Sequence, residues 1–179
     1  ACDIDNKAKV FAIGTESGAA QLFQFEHSEI KTTQQEPALT PTPSKVIEKP
    51  FKQIMEFQFD APISHIKVSA HQQLLLLAAQ HDRYQLHNIK TKALILDKTL
   101  RNASLSSSYF HQKKNLLLGF SDRRVEITDL KTMETTKTIR VPKRNAWKPQ
   151  GVYLHALGVS KGQVITTSSD GMTYTFSMK

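Results

Sequence analysis

The sequence contains a single cysteine, Cys2, which excludes a disulfide framework and favours a reducing compartment such as the cytoplasm. No apolar run approaches the ~18 residues that a membrane-spanning helix needs. Residues 1–15 lack both a basic start and a long apolar stretch, so no signal peptide is legible there. Glycine is scarce, at seven residues, and none of the seven forms a phosphate-cradling loop. Acidic residues are outnumbered, 16 Asp and Glu against 24 Lys and Arg, for a formal net charge of +8. That balance points to acidic partners: nucleic acid, a membrane surface or an acidic protein. Tryptophan occurs once, at Trp147.

Chemistry-bearing patterns are equally sparse. Of seven histidines, His71, His81 and His87 are nearest in sequence, but they map to a turn, a second turn and a strand. No pair has ligand spacing with a cysteine or a carboxylate cluster, so no metal is expected. Gly158-Val159-Ser160-Lys161-Gly162 matches the G-x-S-x-G pattern literally. A nucleophilic serine there needs a strand-to-helix turn, followed by an acid and a histidine. No histidine follows His155, and the match is predicted to be a five-residue hairpin turn with two glycines. Asn102-Ala103-Ser104 matches a glycosylation acceptor, which a reducing compartment leaves idle.

What the chain does have is a segment that returns. Leu75-Leu76-Leu77-Ala78-Ala79 through Asn88-Ile89-Lys90-Thr91 superimposes without a gap on Leu116-Leu117-Leu118-Gly119-Phe120 through Asp129-Leu130-Lys131-Thr132. Looser copies run from Phe11 to Phe25 and from Val164 to Met178. Each copy reads as an apolar strand, a tight turn and a second, alternating strand. A third strand follows, as in Ala93–Leu96, and a fourth precedes, as in Ile63–Ser69. A period near 40 residues built from short strands predicts an all-β chain with a propeller-like rhythm. Asp122 and Asp170 recur in the turns, where an aspartate accepts hydrogen bonds from backbone groups two residues on; this is architecture rather than paired-carboxylate chemistry.

The segments Asp122-Arg123-Arg124-Val125-Glu126-Ile127-Thr128-Asp129 and Asp170-Gly171-Met172-Thr173-Tyr174-Thr175-Phe176-Ser177 resemble the aspartate turn, third strand and closing dipeptide of the WD-repeat family. The chain departs from that family in having no Trp-Asp pair and no Gly-His pair. Phe23, His87, Thr128 and Phe176 fill the tryptophan slot. The resemblance implies a β-propeller segment of about four four-stranded blades, near residues 1–60, 61–100, 101–141 and 151–179, incomplete at both ends. Such a segment belongs to a larger propeller or is completed by a partner; a self-contained four-bladed ring is the alternative. It also implies a non-catalytic interaction scaffold, a subunit or domain that offers loop faces to protein partners in a larger assembly, with no cofactor. The rivals are a binder of polyanions, RNA or anionic lipid head groups, and an enzyme using Ser160 or a bound cofactor.

Two stretches interrupt the rhythm. Residues 31–50 hold four prolines and no aromatic residue, and they read as a disordered insertion. Thr40-Pro41 and Thr42-Pro43 make Thr40 and Thr42 candidate phosphorylation sites there; a passive insertion is the simpler reading, since extra loop length costs little. The second stretch, Pro142 to Gln150, carries Trp147 among cations. In the geometry of the family, the turns between second and third strands share one face with the links between blades. That face would hold Arg83 and Arg123 in turns and Arg101, Lys143, Arg144, Trp147 and Lys148 in links, with the tryptophan free to stack on a base or anchor a protein contact.

Overall fold

A computed structural model describes residues 1–5, 9–25, 51–142 and 154–178. They form fifteen strands in four antiparallel sheets, with no helix among the described residues. Accordingly, none of these residues belongs to a helix long and apolar enough to cross a membrane. The first sheet is β1 (Cys2–Asp5), β2 (Val10–Gly14), β3 (Ala19–Phe25) and β4 (Phe51–Gln58). The second is β5 (Ile63–Ser69), β6 (Leu74–Ala79), β7 (Arg83–Asn88) and β8 (Leu94–Thr99). The third is β9 (Leu105–His111), β10 (Asn115–Phe120), β11 (Arg124–Asp129) and β12 (Thr135–Arg140). The fourth has three strands, β13 (Leu154–Ser160), β14 (Gln163–Ser168) and β15 (Thr173–Ser177). Every sheet is a simple meander in which sequence neighbours pair.

The sheets stack face to face, and side-chain parity decides which residue meets which neighbour. Successive residues of a strand point to opposite faces, so a continuous apolar run serves two interfaces at once. Leu75 and Leu77 pack towards the first sheet with Val10, Ala12, Leu22 and Met55. Leu74 and Leu76 turn the other way and meet Leu105, Leu116, Leu118 and Phe120 of the third sheet. Leu117, Val125 and Ile127 leave the third sheet for Leu154, Val164 and Tyr174 of the fourth. Leu75, Leu76, Leu77, Leu116, Leu117 and Leu118 are all fully buried. At about 1.5–3 kcal/mol for each large apolar side chain removed from water, these three seams hold the stack together.

The repetition extends to irregularities. Register shifts fall between Leu22 and Phe23, between Leu86 and His87, and between Ile127 and Thr128. All three sit at the same step of the third strand, immediately before the slot where the sequence has Phe23, His87 and Thr128. A second set occurs where first and second strands pair, at Ile63/His65, Gly119/Phe120 and Leu154/Ala156. Bulges of this kind increase local twist and re-aim side chains. The segment 31–50, with Thr40 and Thr42, lies outside the described residues.

Candidate functional site

Turn chemistry places the candidate residues. The Asp122 carboxylate accepts the Arg124 N–H at 3.2 Å, and Asp170 accepts the Met172 N–H at 3.0 Å, both two residues ahead. Asp170 also takes the Ser168 hydroxyl and, at 3.1 Å, the Tyr174 hydroxyl. These donors, Ser168 foremost, lower the Asp170 pKa below the ordinary carboxylate value. At the other end of a sheet, Asp129 accepts the N–H groups of Lys131 and Thr132, which lower its pKa likewise. Each of these aspartates is occupied in shaping its own turn.

The links between sheets are tied to these turns by backbone hydrogen bonds. Ile63 N–H donates to Thr15 and Phe59 N–H to Gly18, both at 3.0 Å. Leu100 N–H donates to Asp82 at 2.6 Å, and Val141 N–H to Arg123 at 2.9 Å. Ser121 N–H donates to the Ser104 carbonyl and Ser104 N–H to the Ser121 hydroxyl, each at 2.9 Å. The turns between second and third strands and the links to the next sheet therefore share one end of the stack. Arg83, Arg101 and Arg123 belong to the turns and links at that end. The opposite end joins the remaining turns: Ile89 N–H donates to Gln73 and Leu130 N–H to Lys114, both at 2.7 Å. Lys90, Lys92 and Lys131 lie in those turns.

The three arginines are not equivalent. The Arg83 guanidinium lies 3.2 Å from Asp82 and 3.6 Å from Asp97, so its charge is already answered locally. Arg101 is exposed, and neither it nor Arg123 has a carboxylate partner among the described residues. Arg123 sits in the left-handed region at φ 68°. Its neighbour Arg124 is committed to the fold: it pairs with Glu126 at 2.7 Å and Asp122 at 3.4 Å and lies 4.4 Å above the Phe120 ring. Lys143, Arg144, Trp147 and Lys148 lie outside the described residues.

A second constellation was not legible in the sequence. The first strands of all four sheets line one groove of about 520 Å³, with Asp3, His65, Lys67, Ser108, Tyr109 and His155 among its walls. Asp3 reaches from the first sheet to accept the Val68 N–H at 2.7 Å and Lys67 Nζ at 3.1 Å, and Asp5 accepts the Ala70 N–H at 2.9 Å. His65 Nε2 lies 2.8 Å from Ser108 Oγ. Burial, reinforced by the nearby Lys67 charge and opposed by Asp3, lowers the His65 pKa to about 4. The pair is not oriented as a nucleophile and base with a third acid, because the two Asp3 oxygens are taken by Lys67 and Val68.

The remaining candidates separate. His81 bonds the Ser104 hydroxyl at 3.2 Å. His87 packs 4.5 Å from Phe57 and bonds Gln85 at 3.1 Å. No group of three His, Cys, Asp or Glu among the described residues is placed to hold a metal ion. The turn containing Ser160 corrects the expected five-residue loop. β13 continues to Ser160 and β14 starts at Gln163, leaving a two-residue turn, Lys161 at φ 49° and Gly162 at φ 75°. Two successive positive φ values suit the right-handed twist of a tight hairpin; Gly158 lies within the strand, and among the described residues Ser160 is followed by the strand β14 rather than by a helix.

No family model and no curated protein matches the chain. Solved structures do. The crystal structure of the computationally designed Ika8 protein superimposes with a TM-score of 0.68 at 10% identity, covering 98% of this chain and 44% of that one. The computationally designed Ika4 protein superimposes with a TM-score of 0.61 at 11% identity, covering 96% of this chain and 86% of that one. The chain thus spans less than half the length of the first of these. At such identities the likeness shows the fold alone.

Proposed function

We propose that the chain is a WD-repeat-like propeller segment that acts as a non-catalytic scaffold and receives protein partners on the end where turns and links converge. Two features support the propeller reading. The sheets follow one another in sequence order, and their first strands line one common groove. The observation that carries the functional reading is the hydrogen-bonded convergence of turns and links from successive sheets, which presents Arg101 and Arg123 on one end. The sequence adds Lys143, Arg144, Trp147 and Lys148 in the next link. Arg83 contributes shape there more than charge, since Asp82 and Asp97 hold it.

A partner that co-purifies with the unaltered chain supplies the test. Reversing Arg123, Arg144 and Lys148 to Glu abolishes its binding without unfolding the protein, whereas reversing Lys90, Lys92 and Lys131 leaves binding largely intact. The opposite result assigns the partner to the other end.

The alternative, a polyanion binder, rests on the same arginines together with the net charge of +8. It requires affinity for RNA or anionic vesicles that falls steeply with salt, through counterion release. A partner whose affinity changes little with salt favours the scaffold reading.

A further inference from the structure

The seam between the second and third sheets is closed at one end and open at the other. At the arginine-bearing end the link from β8 to β9 runs across it, and Leu100 and Ala103 of that link are buried with Leu105 and Phe120. Among the described residues no link crosses the opposite end of this seam, where hairpin turns meet instead. There Leu74, Ile95, Leu130 and Met133 form the apolar floor of a cleft of about 410 Å³, a volume within the range of ligand pockets. All four belong to the seam, yet Ile95, Leu130 and Met133 stay partly exposed. A further sheet packs on the far side of each of the two, so the cleft is internal to the stack.

The rim is basic. Lys113 lines the cleft, Lys90 and Lys92 sit in the turn bonded to Gln73, and Lys114 and Lys131 sit in the turns that carry Lys113 and Leu130. All five are exposed, and none makes an ion pair among the described residues. The acids of these turns are Asp129 and Glu134, and the Asp129 carboxylate is occupied by the N–H groups of Lys131 and Thr132. The repeat explains part of the imbalance. Asp5 of the first sheet accepts the Ala70 N–H across the neighbouring seam at 2.9 Å. The spacing that aligns Ile4 with Val68 puts Ser69 in that place on the second sheet, so no carboxylate crosses from there to the third. Gln72, in the wall of the cleft, has its Oε1 buried without a hydrogen-bond partner, an unmet acceptor that a turn of the amide offers to an incoming N–H.

We infer that this cleft is a second interaction surface, whose occupant is an acidic peptide segment that inserts one large apolar side chain between the sheets. Both halves of the chemistry select that occupant. A nucleic acid answers the lysines, but no Phe, Tyr or Trp lines the cleft to stack its bases. An uncharged apolar segment covers the floor and gains nothing from the rim. A recessed apolar floor beneath a charged rim suits an anchor residue with carboxylates on either side. Met133 adapts to anchors of different shape. The surface is separate from the arginine-bearing end and takes a different ligand, so a partner seated on the arginines leaves it free.

Fluorescence anisotropy on the full chain tests the inference, with a labelled nonapeptide that carries one phenylalanine between runs of aspartate and glutamate. Salt is held at about 0.15 M, where charges more than ~8 Å apart are largely screened. The expected result is saturable binding that weakens roughly tenfold or more when the phenylalanine becomes serine, since the anchor no longer removes apolar surface from water. Lys113→Glu combined with Met133→Gly should weaken it at least as much. Glycine suits the Met133 backbone at φ 59°, so that change removes the side chain without straining the turn. Lys114→Glu with Lys131→Glu leaves the apolar floor untouched and should also weaken binding. Arg101→Glu with Arg123→Glu should leave binding unchanged, which separates this cleft from the arginine-bearing end. Unchanged circular dichroism shows that each variant folds. Absence of saturable binding overturns the inference, as does equal affinity for the two peptides or an equal loss with the arginine change. An RNA oligonucleotide or phosphatidylserine vesicles that bind more tightly than the peptide, and lose that binding with the Lys113 and Met133 changes, would assign the cleft to a polyanion instead.

Discussion

His65 and Ser108 are hydrogen bonded at 2.8 Å between the first strands of the second and third sheets. The imidazole is held neutral there, with its pKa lowered to about 4 by burial first and by Lys67 second, against an opposing contribution from Asp3. His87 has its pKa lowered too, through burial, with Asp97 acting in the other direction.

The sign of the pH dependence follows. Between about 4 and the ordinary value of 6.5 the unfolded chain takes up a proton at His65 that the folded chain refuses. Stability therefore rises with pH through this window, by at most about 1.4 kcal/mol per pH unit for one group. Denaturant midpoints measured across the window should fall on acidification. His65→Gln should flatten the profile, even where it lowers stability overall. A profile that is already flat in the unaltered protein would show that His65 is not held neutral.

Gly119 faces Ser107 across β10 and β9. A Cβ at this position would overlap Ser107 Oγ, which is buried and without a hydrogen-bond partner among the described residues, and would come within 3.2 Å of Leu157. Gly119→Ala should cost about 1–3 kcal/mol through overpacking. Removing the obstructing hydroxyl with Ser107→Ala in the same chain should recover part of that loss, as a double-mutant cycle in urea will read. Additive effects would place the strain elsewhere.

Asp3 joins the inner edges of the first two sheets through Val68 N–H and Lys67. Asp3→Ala leaves that N–H unanswered and should cost about 1–3 kcal/mol. Asp3→Asn retains an acceptor for Val68 and loses only the ion pair, so its cost should be the smaller. Equal losses in thermal denaturation would mean that the ion pair, not the edge contact, matters.

Much of the fold is legible because strand periodicity and turn chemistry are local. The four-leucine run Leu74–Leu77 announces a strand covered on both faces, and Asp122 and Asp170 announce turns in which each accepts the N–H two residues on. Which leucine serves which seam depends on parity relative to a neighbouring sheet, and only the assembled stack fixes that. The site is less legible for the same reason. Arg83 meets Asp97 through the pairing of β7 with β8, so its neutralisation depends on register. His65 and Ser108 occupy first strands of different sheets, and polar residues in those strands look like ordinary alternation. In the Ser160 hairpin, Gly158 suggests a longer loop, yet Lys161 and Gly162 alone make the turn.

Hydrogen exchange with the co-purified partner bound tests the functional account most directly. The turns and links at residues 80–83, 100–104 and 121–124 should gain protection relative to the free chain. The opposite end, at residues 70–73, 89–93, 112–114 and 130–134, should exchange as before. Protection confined to the opposite end would contradict the assignment of the arginine-bearing end as the partner face.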